Sequence, residues 1–223
     1  MNYKLLYEND DFLILNKSPG ISFNDEEKLT GLFTELKTCF TGIYSIHRLD
    51  KVTSGLIIIG KSELAAKEFG LLFSRNEVKK IYLAFSDRKP KKKQGLIKGD
   101  MCKSRNGSWK LLQTLVKPAV TQFLSFSLKP SIRLYILKPH TGKTHQLRVA
   151  MKSLGAPILG DKMYAGTTSD RTYLHAYFLS FIFGGKRFEF TSLPDSGNGF
   201  ESSDLKSKLN ELGDPLELKW PVL

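Results

Sequence analysis

The feature that most constrains this chain is a run of six residues, Gly-Leu-Ile-Ile-Ile-Gly, at positions 55–60. Four consecutive large apolar side chains between two glycines cannot alternate between water and core, so the segment reads as a buried strand. Three of the four are β-branched, stiff at χ1 and strand-forming. With Lys61 and Ser62 the same letters match Gly-x-x-x-x-Gly-Lys-Ser, the phosphate-binding loop pattern. Such a loop needs flexible residues whose N–H groups curl around phosphate, and a strand just before it. Here the intervening residues are stiff and the preceding segment, 47–54, is polar. The strand reading therefore displaces nucleotide hydrolysis.

Other elements follow from periodicity and punctuation. Residues 5–15 read as strand, acidic turn and strand, closed by Asn16-Lys17-Ser18-Pro19-Gly20. Residues 25–40 have helical spacing, with Leu29, Leu32, Phe33 and Leu36 on one face. Ser62 is placed to cap a helix over 63–73 with Leu64, Phe69 and Leu72 inward. Strands are expected at 81–85, 96–98, 109–115, 122–126, 132–137 and 187–191. Thr144 is expected to open a helix ending at Gly155, the segment 195–203 to be flexible, and 204–212 to form a last helix. Strands outnumber helices and many connections are short. That predicts an α+β fold with a mixed, largely antiparallel sheet and a few flanking helices.

The charge narrows the partners. Lys and Arg number 34 against 22 Asp and Glu, a net charge of +12, which suits a polyanion such as nucleic acid. Lys89 to Gly95 form a basic loop, either a solvated connection or a phosphate contact. Cys39 and Cys102 are far apart and in no zinc-like cluster, so two free, buried thiols are expected and no metal site. The chain shows no signal-peptide pattern. Its most apolar late stretch, 173–183, is too short to span a bilayer and contains His175. A cytoplasmic protein without membrane contact is the expectation.

Three constellations carry chemistry. His47-Arg48-Leu49-Asp50-Lys51 places a carboxylate in a basic turn before the buried strand, either a reacting group or a surface acid paired with Arg48 or Lys51. Lys138 to Arg148 join a Pro/Gly turn, a candidate cap at Thr144 and a cationic pair, Lys143 and Arg148, with Arg148 one turn beyond Thr144. Lys79-Lys80-Ile81-Tyr82 puts a tyrosine beside lysines on a strand, fit for stacking on a base or for the core.

Together these motifs resemble the RluA/RluC/RluD-type pseudouridine synthase family. His47 to Gly55, Lys79 to Ala84, the Leu-Lys-Pro…Thr-Gly-Lys-Thr-His-Gln-Leu-Arg-Val run at 137–149, residues 154–161 and Leu174-His175-Ala176 occur in the family's order. The resemblance covers about residues 5–193 and implies a cleft between two lobes of one catalytic domain. It implies RNA as partner, rRNA or tRNA, and no cofactor or metal. Asp50 would be the nucleophile, Tyr82 and Arg148 its catalytic companions. His47, Arg48, Lys80, Lys143, Thr144, His145, Gln146 and Leu174 would bind the RNA or the base, with Arg48 filling the place of the extruded nucleotide and Leu174 packing on the base. Lys143 stands where Arg is usual, Ala150 where His is usual, and Asp161 to Gly166 are one residue longer before the glycine. A single catalytic domain over 1–223 without an N-terminal S4-like domain is expected, as is a monomer. The competing reading is a non-catalytic RNA-binding or chaperone protein on the same fold, for which Asp50 would be dispensable.

Overall fold

A computed structural model describes residues 2–223. Its strands are β1 (Tyr3–Glu8), β2 (Phe12–Lys17), β3 (Tyr44–Ser45), β4 (Ser54–Gly60), β5 (Lys79–Ser86), β6 (Gln94–Gly99), β7 (Met101–Lys103), β8 (Trp109–Leu111), β9 (Ala119–Lys129), β10 (Ile132–Pro139), β11 (Leu174–Phe183) and β12 (Lys186–Thr191). Its helices are α1 (Leu32–Cys39), α2 (Glu63–Ser74), α3 (Gln146–Ser153) and α4 (Ser203–Leu212). The fold is α+β. Pairing is mixed and largely antiparallel, with β4 and β11 parallel. The chain divides into two compact units, one formed by the residues up to Lys80 with His175–Leu193, the other by Ile81–Leu174 with Pro194–Leu223.

In the first unit the strands run β1-β2-β4-β11-β12, with β3 beside the end of β4. All seven residues of β4 are buried, so the glycine-bounded run is a strand. Phe12 packs against Phe69, Phe181, Phe183 and Phe188 at 5.2–5.6 Å, mostly edge to face. Such pairs add about 0.5–1.5 kcal/mol each beyond the area they bury. Ser62 caps α2 as expected, its Oγ accepting the Ala65 N–H at 3.0 Å. The helix buries Ala65 and Phe69, four residues apart on one face; Leu64, expected inward, is rotated off that face and 76% exposed.

The helix expected over 25–40 is only the eight residues of α1. The Asp25 carboxylate takes the Gly31 N–H at 2.7 Å and the Thr34 hydroxyl at 3.0 Å, and Glu26 and Leu29 exchange backbone hydrogen bonds in a tight loop. Gly31 passes so close to Asn24 that a Cβ would lie 2.3 Å from its carbonyl carbon. Leu29, counted on the apolar face, is exposed. Cys39 is exposed and Cys102 half-buried, both free, which corrects the expectation of buried thiols.

In the second unit the order is β5-β10-β9-β6, and β7 and β8 form a separate hairpin. The strand expected over 109–115 stops at Leu111. There the backbone turns back on Asp100, through Leu112 N–H to Asp100 O at 2.7 Å and Asp100 N–H to Thr114 O at 2.8 Å. Phe85 and Tyr173 stack at 5.3 Å, and Phe200 closes on both at 4.7 and 4.8 Å. Phe200 belongs to the segment expected to be flexible. That segment is instead fastened: Asn198 N–H donates to Asp170, Gly199 N–H to the Tyr173 hydroxyl, and the Arg171 guanidinium to Ser196. Burial of one phenylalanine anchors a stretch whose composition alone reads as loose. No helix among the described residues is long and apolar enough to cross a membrane.

Candidate active site

The Asp50 turn is built from the strand that follows it. Gly55 has φ +111°, and a Cβ there would lie 2.3 Å from the Ala176 carbonyl oxygen, so only glycine lets β4 approach β11 this closely. Beside it His175, fully buried, donates from Nε2 to the Ser192 carbonyl at 2.8 Å; its Nδ1 therefore accepts the Ser54 hydroxyl at 2.7 Å. The turn itself is tied by Thr53 N–H to Asp50 O at 3.0 Å and Gly20 N–H to Lys51 O at 2.8 Å. Lys17, with no exposed surface, donates from Nζ to the carbonyls of Ser18 at 2.8 Å, Ile21 at 2.7 Å and Lys51 at 3.3 Å. An ammonium shared by three carbonyls welds the Asn-Lys-Ser-Pro-Gly loop to the Asp50 turn. In that frame Leu49 is buried, Asp50 is half-buried and Arg48 is exposed. Lys51 pairs with Glu26 at 2.6 Å on the surface.

His47 and Lys80 meet at Phe73. The His47 ring lies 4.9 Å from the Phe73 ring, and Lys80 Nζ sits 5.1 Å over the same ring. His47 Nε2 accepts the Ile58 N–H at 3.0 Å, which requires a neutral imidazole protonated on Nδ1. Burial, and then the charge of Lys80, lowers its pKa to about 3. Burial lowers the Lys80 pKa to about 8. Both residues were expected to face RNA. The structure places Lys80 inside, 8% exposed, and gives His47 a backbone partner.

In the second unit Tyr82 is half-buried on β5, opposite Leu137 of β10, and Leu174 is buried at the start of β11. The arginine motif departs from its expected geometry. Helix α3 begins at Gln146, after His145 in the left-handed conformation (φ 57°), and Thr144 lies outside it in a turn. Thr144 is therefore no cap, and its i,i+4 relation to Arg148 is lost. Gln146 organises the turn instead. Its Oε1 accepts the Thr141 hydroxyl at 2.7 Å and the Lys143 N–H at 3.0 Å; its Nε2 donates to Val120 O at 3.1 Å and Thr121 Oγ at 3.0 Å. All four hydrogen bonds available to the amide are used within the protein. Lys143 remains exposed.

Arg148 is 5% exposed and locked by Asp161, Nε to Oδ2 at 2.7 Å and Nη2 to Oδ1 at 2.8 Å. The guanidinium also lies 4.9 Å from the Tyr164 ring, whose hydroxyl shares a hydrogen bond with His145 Nδ1 at 2.9 Å. Asp161 and Tyr164 were not among the expected site residues. Their signal was present, because residues 101–160 contain no Asp or Glu at all. Asp161 is the first acid that follows the arginine motif.

A sequence model described as RNA pseudouridylate synthase matches residues 11–153, well over half of the chain. The chain belongs to the RluA-type pseudouridine synthase family. A Haemophilus influenzae protein described as an uncharacterized RNA pseudouridine synthase is 52% identical over 88% of this chain and 90% of its own length. The Escherichia coli dual-specificity RNA pseudouridine synthase RluA is 33% identical over 79% of this chain and 85% of its own. Among solved structures, human RNA pseudouridylate synthase domain containing 1 superposes with a TM-score of 0.71 at 27% identity, covering 87% of this chain and 84% of that one. The chain is thus an RNA pseudouridine synthase, an isomerase, and RNA is its partner.

Against the family pattern, the longer run before glycine has a local cause. Ala165 adopts the left-handed conformation (φ 59°) that glycine usually serves. Gly166 follows because a Cβ there would lie 1.9 Å from the Ile158 carbonyl oxygen. Ala150, where this pseudouridine synthase lacks the usual histidine, is buried on α3.

Proposed function

We propose that Asp50 is the nucleophile with which this synthase isomerises one uridine of a structured rRNA or tRNA, as a monomer in the cytoplasm without cofactor or metal. The observation that carries the reading is the half-buried Asp50 in a turn fastened by Lys17, Gly20 and Thr53, in a chain of the RNA pseudouridylate synthase family. The C1′–N1 bond of the uridine breaks, the uracil turns, and a C5–C1′ bond forms while C5 loses a proton and N1 gains one. Atoms and electrons balance within the nucleotide, so no oxidant or reductant enters. Asp50 promotes the glycosidic step. Tyr82 stacks on the base and assists loss of the C5 proton, and Arg148 supplies positive charge. Leu174 packs against the base. Arg48, exposed beside Asp50, fills the space of the flipped nucleotide; flipping costs a few kcal/mol that phosphate contacts from residues such as Lys143 offset. His47, Lys80, Thr144, His145 and Gln146 act behind the RNA-facing surface, holding the two motifs in shape.

The relatives carry names that point to different RNAs: RluA of E. coli is called dual-specificity, and a Rickettsia bellii relative is called ribosomal large subunit pseudouridine synthase C. The test is tritium release from RNA bearing 5-³H-uridine, isolated from a strain lacking the gene. Wild type is expected to release tritium and Asp50→Asn, which keeps the shape and removes the carboxylate, to release none. Fractionating that RNA into tRNA and rRNA identifies the substrate class. Undiminished release by Asp50→Asn sinks the nucleophile assignment, and no release by wild type favours the non-catalytic reading.

A further inference from the structure

Residues 194–223 lie beyond the stretch that the family model matches, yet the chain past α4 is ordered by specific contacts. Gly213, at φ 68°, ends the helix, and Asp214 Oδ1 accepts the Leu216 N–H at 2.8 Å to turn the chain. The Trp220 indole folds back on this turn, Nε1 donating to the Pro215 carbonyl at 3.0 Å. Its half-buried ring covers Lys138 of β10, whose Nζ stands 5.0 Å from the ring centre. The next carbonyl, that of Pro221, accepts from Nε2 of Gln122, a residue of β9 that is 4% exposed.

Gln122 is the link to the arginine motif. Its Oε1 lies 2.7 Å from His140 Nε2, and because its nitrogen is given to Pro221, His140 is the donor. His140 opens the turn that leads to α3. Its N–H donates to Val120 O at 2.9 Å, and the Val120 N–H donates to Thr141 Oγ1 at 2.9 Å. In β9, Thr121 pairs with Pro139 and Gln122 with Lys138, so the two side chains leave the sheet on opposite faces. Leu137, which pairs with Tyr82, shares the face of Thr121. The end of β9 is thus gripped on the face of Tyr82 by Gln146, through Thr121, and from behind by the segment that carries Trp220.

We propose that residues 213–221 are a strap that positions the arginine motif for the reaction, with Trp220 and Gln122 as positioning residues that act through His140. The inference rests on the role given above to Arg148. Asp161 grips the arginine side chain, but the turn sets the helix that carries it, and α3 has no side-chain cap of its own. Without the strap, the Gln122 amide and the His140 ring lose what fixes their orientation, and a buried donor left unpaired turns away or draws in water. A shift of about 1 Å at the start of α3 is enough to lower turnover strongly. The strap lies on the face of the sheet away from Tyr82, so its loss leaves the contacts to base and phosphate in place.

The test uses the full chain with Trp220→Ala, Gln122→Met, the two combined, and Trp220→Phe, which keeps a ring for Lys138. The control is Leu209→Ala, whose side chain is buried on α4 outside the strap. Tritium release from 5-³H-uridine RNA is measured against RNA concentration, urea midpoints are measured for every variant, and the imidazole ¹⁵N spectrum reports which nitrogen of His140 carries the proton. Trp220→Ala is expected to lower kcat about tenfold while KM stays within about twofold. Gln122→Met should do the same, and the combined variant should lose little more, because both break one link. Both should disturb the His140 signal. Trp220→Phe should keep most of the turnover, and Leu209→Ala should lower the urea midpoint with kcat unchanged. An undisturbed His140 signal in Trp220→Ala overturns the strap, as does a kcat loss that Leu209→Ala reproduces. Additive losses in the combined variant overturn the route through Gln122. A disturbed signal with wild-type kcat overturns the service to catalysis, and Arg148→Lys assayed beside it locates the fault. Wild-type kcat for Arg148→Lys places it in the role given to Arg148, and a lost kcat places it in the strap. Failure of the Asp50 assignment is separate, because it shows as tritium release by Asp50→Asn and leaves the His140 signal intact.

Discussion

Ala165 shows how one residue can carry a departure from a family pattern. An L-residue in the left-handed region costs about 1–2 kcal/mol, and glycine there costs only its extra unfolded-state freedom, about 0.5–1 kcal/mol. Ala165 is exposed, so no packing is lost by removing its methyl. Ala165→Gly is therefore expected to stabilise the protein by about 0.5–1 kcal/mol, read as a raised urea midpoint at unchanged slope. The adjoining Gly166 cannot be exchanged in the same way, since the Ile158 carbonyl occupies the place of its Cβ. A destabilised Ala165→Gly would show that the left-handed turn is not a source of strain. His145 is also left-handed, but its ring is bonded to Tyr164 and its conformation places the start of α3. There the strain has a use, which is the pattern expected next to a functional side chain.

At the scale of elements, α3 is held less by capping than by what its buried face grips. Its N-cap residue makes no side-chain cap bond, and Gln146 and Arg148 supply the fixation from inside the helix. Removing one partner of a buried ion pair leaves a desolvated charge, which costs about 3–5 kcal/mol. Asp161→Asn keeps the shape and one acceptor, so a loss near the lower end, about 3 kcal/mol, is expected in urea unfolding. Arg148→Lys should be comparably damaging, because an ammonium cannot match both carboxylate oxygens. A loss under about 1 kcal/mol for Asp161→Asn would mean that water or another group already satisfies Arg148. This pair also shows what can be read from sequence and what cannot. β4, β5, β10 and the capped start of α2 were legible, because an apolar run between glycines or a serine before a periodic stretch states its structure locally. Asp50, Tyr82 and Arg148 were singled out by their resemblance to the family's motifs, not by any local structural rule. The Asp161 partnership was legible only as a hint, the lack of any acid over residues 101–160, since it joins residues 13 apart through a turn. The loop before α1 was hidden too, because helical spacing over 25–40 says nothing of the close passage of Gly31 past Asn24. Phe200 was hidden in a Gly/Ser-rich stretch whose order comes entirely from long-range partners.

For the whole molecule, the two titrating groups beside Phe73 set a pH profile whose sign can be worked out. His47 has a folded pKa of about 3 against an ordinary 6.5. Between those values the unfolded chain binds the extra proton, so stability falls as pH drops from 6.5 towards 3. Lys80 has a folded pKa of about 8 against 10.5. Between 8 and 10.5 the unfolded chain again holds more protons, so its contribution to stability rises with pH; below 8 both states are charged and the folded state bears the full desolvation cost. Asp25, Asp100 and Asp170, held below their ordinary pKa, add to the acid limb in the same direction. Tyr135 and Tyr173, raised by burial, oppose any gain above pH 10. The expected profile therefore rises from acid, is level between about 6.5 and 8, and rises again before the tyrosines ionise. Lys80→Met tests it. Replacing a buried ammonium by an apolar chain of similar length should stabilise the fold at pH 7 by about 2–3 kcal/mol, one pKa unit being 1.36 kcal/mol. The same change should abolish the rise between pH 8 and 10. It should also soften the acid limb, because the charge of Lys80 is the second cause of His47's low pKa. Urea midpoints of wild type and Lys80→Met at pH 5, 7 and 9.5 separate these effects. If the two proteins give parallel profiles, Lys80 keeps its ordinary pKa, and the cluster at Phe73 holds its shape by packing alone.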